Sequence, residues 1–446
     1  MKTYRNYSAM ALFLIVFVLI LNSCGKMDSK DKTVLLPVKE DPAISFRIWF
    51  KIGSQGDPDG KECLAALTAS MLTNGATKNN TYEELLNKLY RIAASYTASV
   101  DKEMTVIQGR VHEDNLTECY KLFTDAIMHP AFNEDDFNRI KSQMLNYIEN
   151  TLRYSSDEEL SKAVLYNYIF EDTPYGHITE VTAYGLKHIT LDDVKEFYKK
   201  HYTRYNFVVG LNDLFDNNLP EKLNDELLKL SDEKPKLALE LQPARIEGLN
   251  MPIVDKPCDA TAISFGFPID VLRDDKDFFA LFLFNSWFGE HRNQPSHLYQ
   301  VIREKRGMSY GDYSYIEVFL NGGSLNFPEP NHSRHHQIFE VWLRPVQHQR
   351  AHFALRAAMR KLENVIKNGL TQKQFELTKN FLYNYALFYV QTTSQRLGYQ
   401  IESKFYGILG DDYIKYFRNK VKNLTLEEVN QAIKKYIQSK NRKLQL

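Results

Sequence analysis

Two groups of histidines in this chain have the residue type and spacing for metal chemistry. His348 and His352 stand four apart, which on a helix puts two imidazoles on one face; His332, His335 and His336 form a second group. The first pair has no acidic residue at a spacing that would complete a site. Both groups therefore read as solvated surface histidines, and no bound metal is expected. Cys63, Cys119 and Cys258 are widely separated with no C-x-x-C pair, so they signal neither a zinc knuckle nor a disulfide framework. Buried thiols used as small hydrophobes are the expectation.

The elements that must position any site come in two copies. Phe132–Tyr147 can be laid on Leu370–Tyr385 at an offset of 238 residues, with Phe137/Phe375, Lys141/Lys379, Asn146/Asn384 and Tyr147/Tyr385 recurring. Ile189–Val194 matches Leu424–Val429 at an offset of 235. In both copies a threonine followed by acidic residues (Thr190, Thr425) is an N-cap signature opening an amphipathic helix, which runs on into a short closing strand, Asn206–Leu211 or Arg442–Leu446. The Pro- and charge-rich stretch 216–250 is the expected join between the halves. Within each half, β-type runs (Ala43–Ile52, Thr97–Val111, Ala262–Phe267) alternate with helical stretches (Thr81–Ala94, Glu113–Met128, His352–Asn368). This predicts an α+β fold of two homologous halves, each with helices packed on one face of a largely antiparallel sheet.

Length and composition agree. The 446 residues suffice for two to four cores, and 43% hydrophobic with 25% charged residues is ordinary for a globular chain. With 56 basic and 56 acidic residues the net charge is zero, which gives no sign of an electrostatic nucleic-acid or membrane-surface binder.

The segment Gly60–Gly75, with Ala66, Ala69 and Ser70 inside it and Met71-Leu72 after them, resembles the zinc helix of the M16 (insulinase, pitrilysin, mitochondrial processing peptidase) family, where a glycine leads into H-x-x-E-H, then Met-Leu and a glycine. The resemblance continues through Ile48–Ser54, similar to the family's first strand and its Gly-Ser end, and covers nearly the whole chain from Phe46 onward. It implies that the family's two histidines fall on Ala66 and Ser70, its catalytic glutamate on Ala69, and its third ligand, a glutamate, on Tyr147. Alanine offers no lone pair and a hydroxyl is a poor zinc ligand. Losing the ligands removes the Lewis acid and the metal-bound water, and losing the glutamate removes the general base. Glu149 lies two residues along, off the required helix face.

In the C-terminal half, Leu298–Tyr310 resembles the family's Arg/Tyr motif, which implies that Arg303 and Tyr310 bind substrate backbone and the tetrahedral intermediate. Arginine supplies fixed donors to a peptide carbonyl and tyrosine a hydroxyl to a developing oxyanion. A structural ion pair and a strand aromatic are the competing reading of the two residues. The aromatic positions Tyr313, Phe339 and Trp342 are expected in the core rather than on a peptide-binding wall. The resemblance thus implies a catalytically incomplete subunit of a heterodimeric zinc metallopeptidase. It would bind no cofactor itself, with zinc in an H-x-x-E-H partner and Arg303 and Tyr310 acting in trans on extended peptides. A pseudo-peptidase that binds peptides or acts as a scaffold is the alternative.

The N-terminus reads as a targeting segment. Lys2 and Arg5 precede an apolar run from Ala9 to Leu21, too short for a comfortable transmembrane helix, and Leu21–Gly25 resembles a bacterial lipoprotein cleavage box with Cys24 as the lipidated residue. An uncleaved anchor and a plain secretory signal are the alternatives. The expected organisation is a lipoprotein signal over 1–24, a tether over 25–33, an N-terminal domain over 34–215, the join over 216–250 and a C-terminal domain over 251–446. A lipid-anchored protein of the bacterial cell envelope follows from this reading.

Overall fold

A strand buried on both faces sits at the centre of the N-terminal half, and the reason is written in its alternation. In β2 (Ala43–Phe50) the side chains of Phe46, Ile48 and Phe50 point to one core while Trp49 points to another, so successive residues enter opposite layers. The structure is a computed structural model that describes residues 32–38, 41–152, 154, 156–177, 183–212, 218–235, 250–320, 325–410 and 412–437. Cys24, the expected signal and the closing strand Arg442–Leu446 lie outside them.

The N-terminal half comprises β1 (Thr33–Leu36), β2, α1 (Leu64–Asn74), α2 (Tyr82–Arg91), β3 (Ser95–Val100), β4 (Thr105–His112), α3 (Leu116–Met128), α4 (Glu134–Asn146), α5 (Asp157–Ile169), α6 (Ala183–His188), α7 (Leu191–His201), β5 (Phe207–Asn212) and α8 (Leu219–Leu227). Its sheet runs β1-β5-β2-β4-β3, with β2 antiparallel to β4 and β5, and β3 antiparallel to β4. The run Thr97–Val111, expected as one β-type stretch, is a hairpin broken between Val100 and Thr105. The C-terminal half comprises β6 (Thr261–Ile269), α9 (Phe278–Gly289), β7 (Asp312–Tyr315), β8 (Gln337–Val346), α10 (His348–Asn368), α11 (Gln372–Tyr385), α12 (Thr393–Phe405), α13 (Tyr413–Asn423) and α14 (Leu426–Tyr436). Its sheet runs β6-β8-β7, all antiparallel. The fold is therefore α+β in two similar halves, and residues Val34–Leu446 form one compact unit.

Local signals start the helices where the sequence places them. Thr81 with Glu84, Thr190 with Asp193, Thr371 with Gln374 and Thr425 with Glu428 form reciprocal capping boxes, each satisfying two backbone donors that a helix start leaves open.

The expectation of helices on one sheet face needs correction. Each sheet is covered on its second face by a helix that the chain order assigns to the other half. Helix α12 lies on β2 and β5, where Leu397 and Ile401 pack with Trp49, Met104 and Val208. Gly210 makes room for it: a Cβ there would lie 2.7 Å from Ile401 Cδ1. Reciprocally, α5 lies against β6, with Ser161 Oγ 2.8 Å from Ser264 Oγ and Arg344 Nε donating to Glu158 Oε1 at 2.7 Å. The two exchanged helices are equivalents, their starts at Asp157 and Thr393 matching the repeat offset. Burying both faces of a sheet in this way ties the halves together.

The expected join is also corrected. Residues 218–235 fold into the N-terminal half, where Leu219, Leu223, Leu227 and Leu230 enter its main core. Three of them fall at helical i, i+4 spacing, a pattern that the Pro and charge content of the stretch masks.

Candidate functional site

The first candidate element is α1, whose start is held from outside the helix. Cys63 stands before it at φ 92°, and the Asp57 carboxylate accepts the backbone N–H groups of Cys63 and Ala65, each at 2.7 Å, as an N-cap side chain would. Burial pushes the Asp57 carboxyl up to about 7, against those two hydrogen bonds. Ala69 is buried, while Ala66 and Ser70 share a half-buried face one turn apart. Tyr147 opens a π-helical turn, Tyr147–Leu152, that continues α4, and α4 packs on α1. Glu149 in that turn is directed to Lys187, 3.1 Å away on the exposed surface.

Two methyl groups, one hydroxyl and one phenol do not fit a zinc ion. Among the described residues no group of three or more His, Cys, Asp or Glu side chains is placed to hold a metal.

Tyr147 instead lines a small cavity between the halves, which charged side chains fill. Lys162 of α5 donates to the Phe319 carbonyl at 2.9 Å, pairs with Glu159 at 2.8 Å and lies 4.5 Å from the Trp342 ring centroid. Glu340 of β8 faces the same space; burial raises its carboxyl to about 7, opposed by Lys162 and reinforced by Glu159. Arg334 clasps Asp101 through two hydrogen bonds, one of 2.6 Å from Nε, with both side chains buried. These residues escaped sequence reasoning because nothing in spacing marks a charge as buried against another half.

The second candidate element is the loop from a π-helical turn, Tyr299–Glu304, into β7. Arg303 donates from Nη1 to the Tyr310 carbonyl at 2.8 Å, and its guanidinium carbon lies 4.7 Å from the Tyr299 ring centroid. Gly307, at φ 57°, closes the turn that brings the two together, its N–H donating to the Arg303 carbonyl at 2.6 Å. The Tyr310 side chain is 76% exposed, so the contact within the pair runs to the backbone and leaves the hydroxyl outward. Beneath it, Asp312 accepts from Ser309 Oγ at 2.8 Å; burial raises its carboxyl to about 7, against Ser309 and the Arg303 charge.

Arg303 and Tyr310 border an open cavity of about 470 Å³ shared with Arg292, Arg344, Tyr299 and Tyr313. Sequence reasoning missed Arg292 and did not connect Arg344 with Arg303; they lie 11 residues before and 41 residues after it, and Arg344 is brought to it where β7 pairs with β8. Tyr313, Phe339 and Trp342 are 3%, 0% and 0% exposed.

The histidine groups need correction too. His348 lies on the first turn of α10, with Nδ1 2.8 Å from Thr261 Oγ1 and Nε2 3.0 Å from the Cys258 carbonyl, so both ring nitrogens are engaged. His335 is not simply solvated: its Nδ1 is 2.6 Å from Glu103 Oε2, across the halves, and His336 meets Tyr175 edge-on. Cys63 and Cys119 are buried, but Cys258 is exposed. No described helix is long and apolar enough to cross a membrane.

Comparison with known proteins is consistent with this architecture. The model of "Insulinase (Peptidase family M16)" matches residues 33–182, and that of "Peptidase M16 inactive domain" matches residues 188–382. An "Uncharacterized zinc protease" of Rickettsia bellii is 24% identical over 281 residues, 63% of this chain and 66% of its own length, so the match spans just under two thirds of that relative. A protein of Helicobacter pylori named "Non-peptidase homolog YmxG" is 24% identical over 381 residues, 83% of this chain and 81% of its own. The crystal structure of a peptidase M16 inactive domain from Pseudomonas fluorescens superposes with a TM-score of 0.80 at 24% identity, covering 93% of both chains. A protease structure from Helicobacter pylori gives 0.77 at 16% identity, covering 93% of this chain and 95% of its own. The two matched models together span most of the sequence, and the chain belongs to the M16 (insulinase) family of peptidases.

Proposed function

We propose that this chain is the non-zinc subunit of a two-chain M16 peptidase, hydrolysing nothing alone and completing the site of a zinc-bearing partner. One observation carries the reading. The α1 face that would hold a metal presents Ala66, Ala69 and Ser70, while Arg303 and Tyr310 remain at the rim of an open cavity. In this reading Arg303 holds the backbone of an extended peptide, and the outward Tyr310 hydroxyl donates to the oxyanion formed at the partner's zinc. Lipidation at Cys24 tethers the subunit in the bacterial cell envelope.

The test is reconstitution with an H-x-x-E-H-bearing M16 chain and a quenched extended peptide. Losing one oxyanion donor costs about 3–4 kcal/mol, so Tyr310→Phe lowers kcat by roughly 10²–10³. Arg303→Ala abolishes turnover, and both variants still assemble. Unchanged turnover in either refutes the role of that residue.

The name carried by the Helicobacter pylori relative, a non-peptidase homolog, favours a second reading. In it the chain is a peptide-binding or scaffold lipoprotein with no zinc partner. The two separate on whether any M16 chain with intact ligands assembles with this one.

A further inference from the structure

We infer that the cavity beside Arg303 is a carboxylate-recognising subsite, with Arg292 and Arg344 selecting an acidic group on the bound peptide. The inference rests on the peptide-binding reading of Arg303 and Tyr310 and adds a substrate class to it. The described residues that line the cavity include three guanidinium groups and no carboxylate, with tyrosines beside them. A planar guanidinium offers paired N–H donors matching the two oxygens of a carboxylate.

Each arginine is already held. Arg303 is braced by the Tyr299 ring and the Tyr310 carbonyl. Arg344 is oriented by Glu158, 2.7 Å from its Nε, and Arg292 donates from Nη1 to Asn326 Oδ1 at 2.7 Å. Fixing the donors in advance lowers the ordering cost of binding an anion. Arg292 adds an independent sign: its backbone sits at φ 52°, in the left-handed region, where glycine or asparagine would be less strained. A long cationic side chain kept at such a position fits a role for the side chain rather than for the turn.

The acidic group is either a Glu or Asp side chain or the C-terminal carboxylate of the peptide. Fluorescence-anisotropy titration of the full-length chain distinguishes them, using three labelled extended nonapeptides. The first is uncharged with an amidated C-terminus, the second carries one internal glutamate, and the third has a free C-terminus. The expected result is Kd about tenfold tighter for the second or the third probe than for the first, the gain shrinking at 0.5 M salt. Arg292→Gly, which relieves the backbone strain, should keep or raise the melting temperature while removing most of that gain. Arg344→Gln should do the same to the gain.

Equal affinity for all three probes overturns the carboxylate subsite and leaves the peptide-binding reading standing. Failure of every probe to bind overturns both. A gain that survives Arg292→Gly and Arg344→Gln together assigns the acidic group elsewhere and also overturns the inference.

Discussion

The Asp101–Arg334 clasp sets a quantitative test of how the halves are joined. Asp101 lies in the turn between β3 and β4, and Arg334 precedes β8; their side chains are 0% and 3% exposed. Burial alone would raise the Asp101 carboxyl, but the guanidinium beside it prevails and holds it below the ordinary aspartate value. Arg334→Met leaves that carboxylate buried without its partner, at a cost of about 3–5 kcal/mol. With an unfolding entropy of about 2.1 cal/mol/K per residue over roughly 400 residues, the melting temperature falls by about 4–6 °C. Asp101→Leu combined with Arg334→Met removes both charges and should recover most of the loss, giving a coupling of at least about 2 kcal/mol in a double-mutant cycle. Calorimetry on the four proteins at pH 7.5 measures it. A loss below about 1 kcal/mol for Arg334→Met, or additive single effects, would refute a buried clasp. The sign with pH is also fixed: a depressed carboxyl contributes stability that is present above its unfolded value near 4 and is lost as pH falls through the folded value.

Glu340 has the opposite sign: its carboxyl is raised from 4.5 to about 7, so the folded state keeps its proton longer and stability declines as pH rises through that window, by on the order of 3 kcal/mol. Melting curves from pH 4.5 to 8 should show Glu340→Gln with a visibly flatter decline; parallel curves would exclude Glu340 as a source of the slope. Gly53 meets the Asp101–Lys102 backbone so closely that a Cβ would lie 2.1 Å from the Asp101 carbonyl oxygen. Gly53→Ala should therefore cost about 3 kcal/mol or more in urea unfolding, and a change under 1 kcal/mol would contradict that packing.

Much of the fold was legible because local signals and repetition agree. The capping boxes at Thr190 and Thr425 and the recurrence of Phe137–Tyr147 at Phe375–Tyr385 are short-range patterns that one chain displays twice. The exchange of α5 and α12 was illegible, since nothing in the spacing of either helix states which sheet it covers. The same limit hid the meeting of Arg292 and Arg344 with Arg303. Their convergence with Arg303 depends on β7–β8 register and on a left-handed turn after α9, neither of which a linear spacing encodes. What Ala66, Ala69, Ser70 and Tyr147 imply was readable only against a family pattern, because alanine in a helix is otherwise unremarked.

The central claim is that this subunit supplies binding groups and no metal. Purification of the tagged chain from its native host, with metal analysis and a quenched-peptide assay on the eluate, tests it most directly. The account predicts zinc and activity only when a second, H-x-x-E-H-bearing chain co-elutes, with none in the isolated subunit. Stoichiometric zinc or peptide hydrolysis by this chain alone would contradict it.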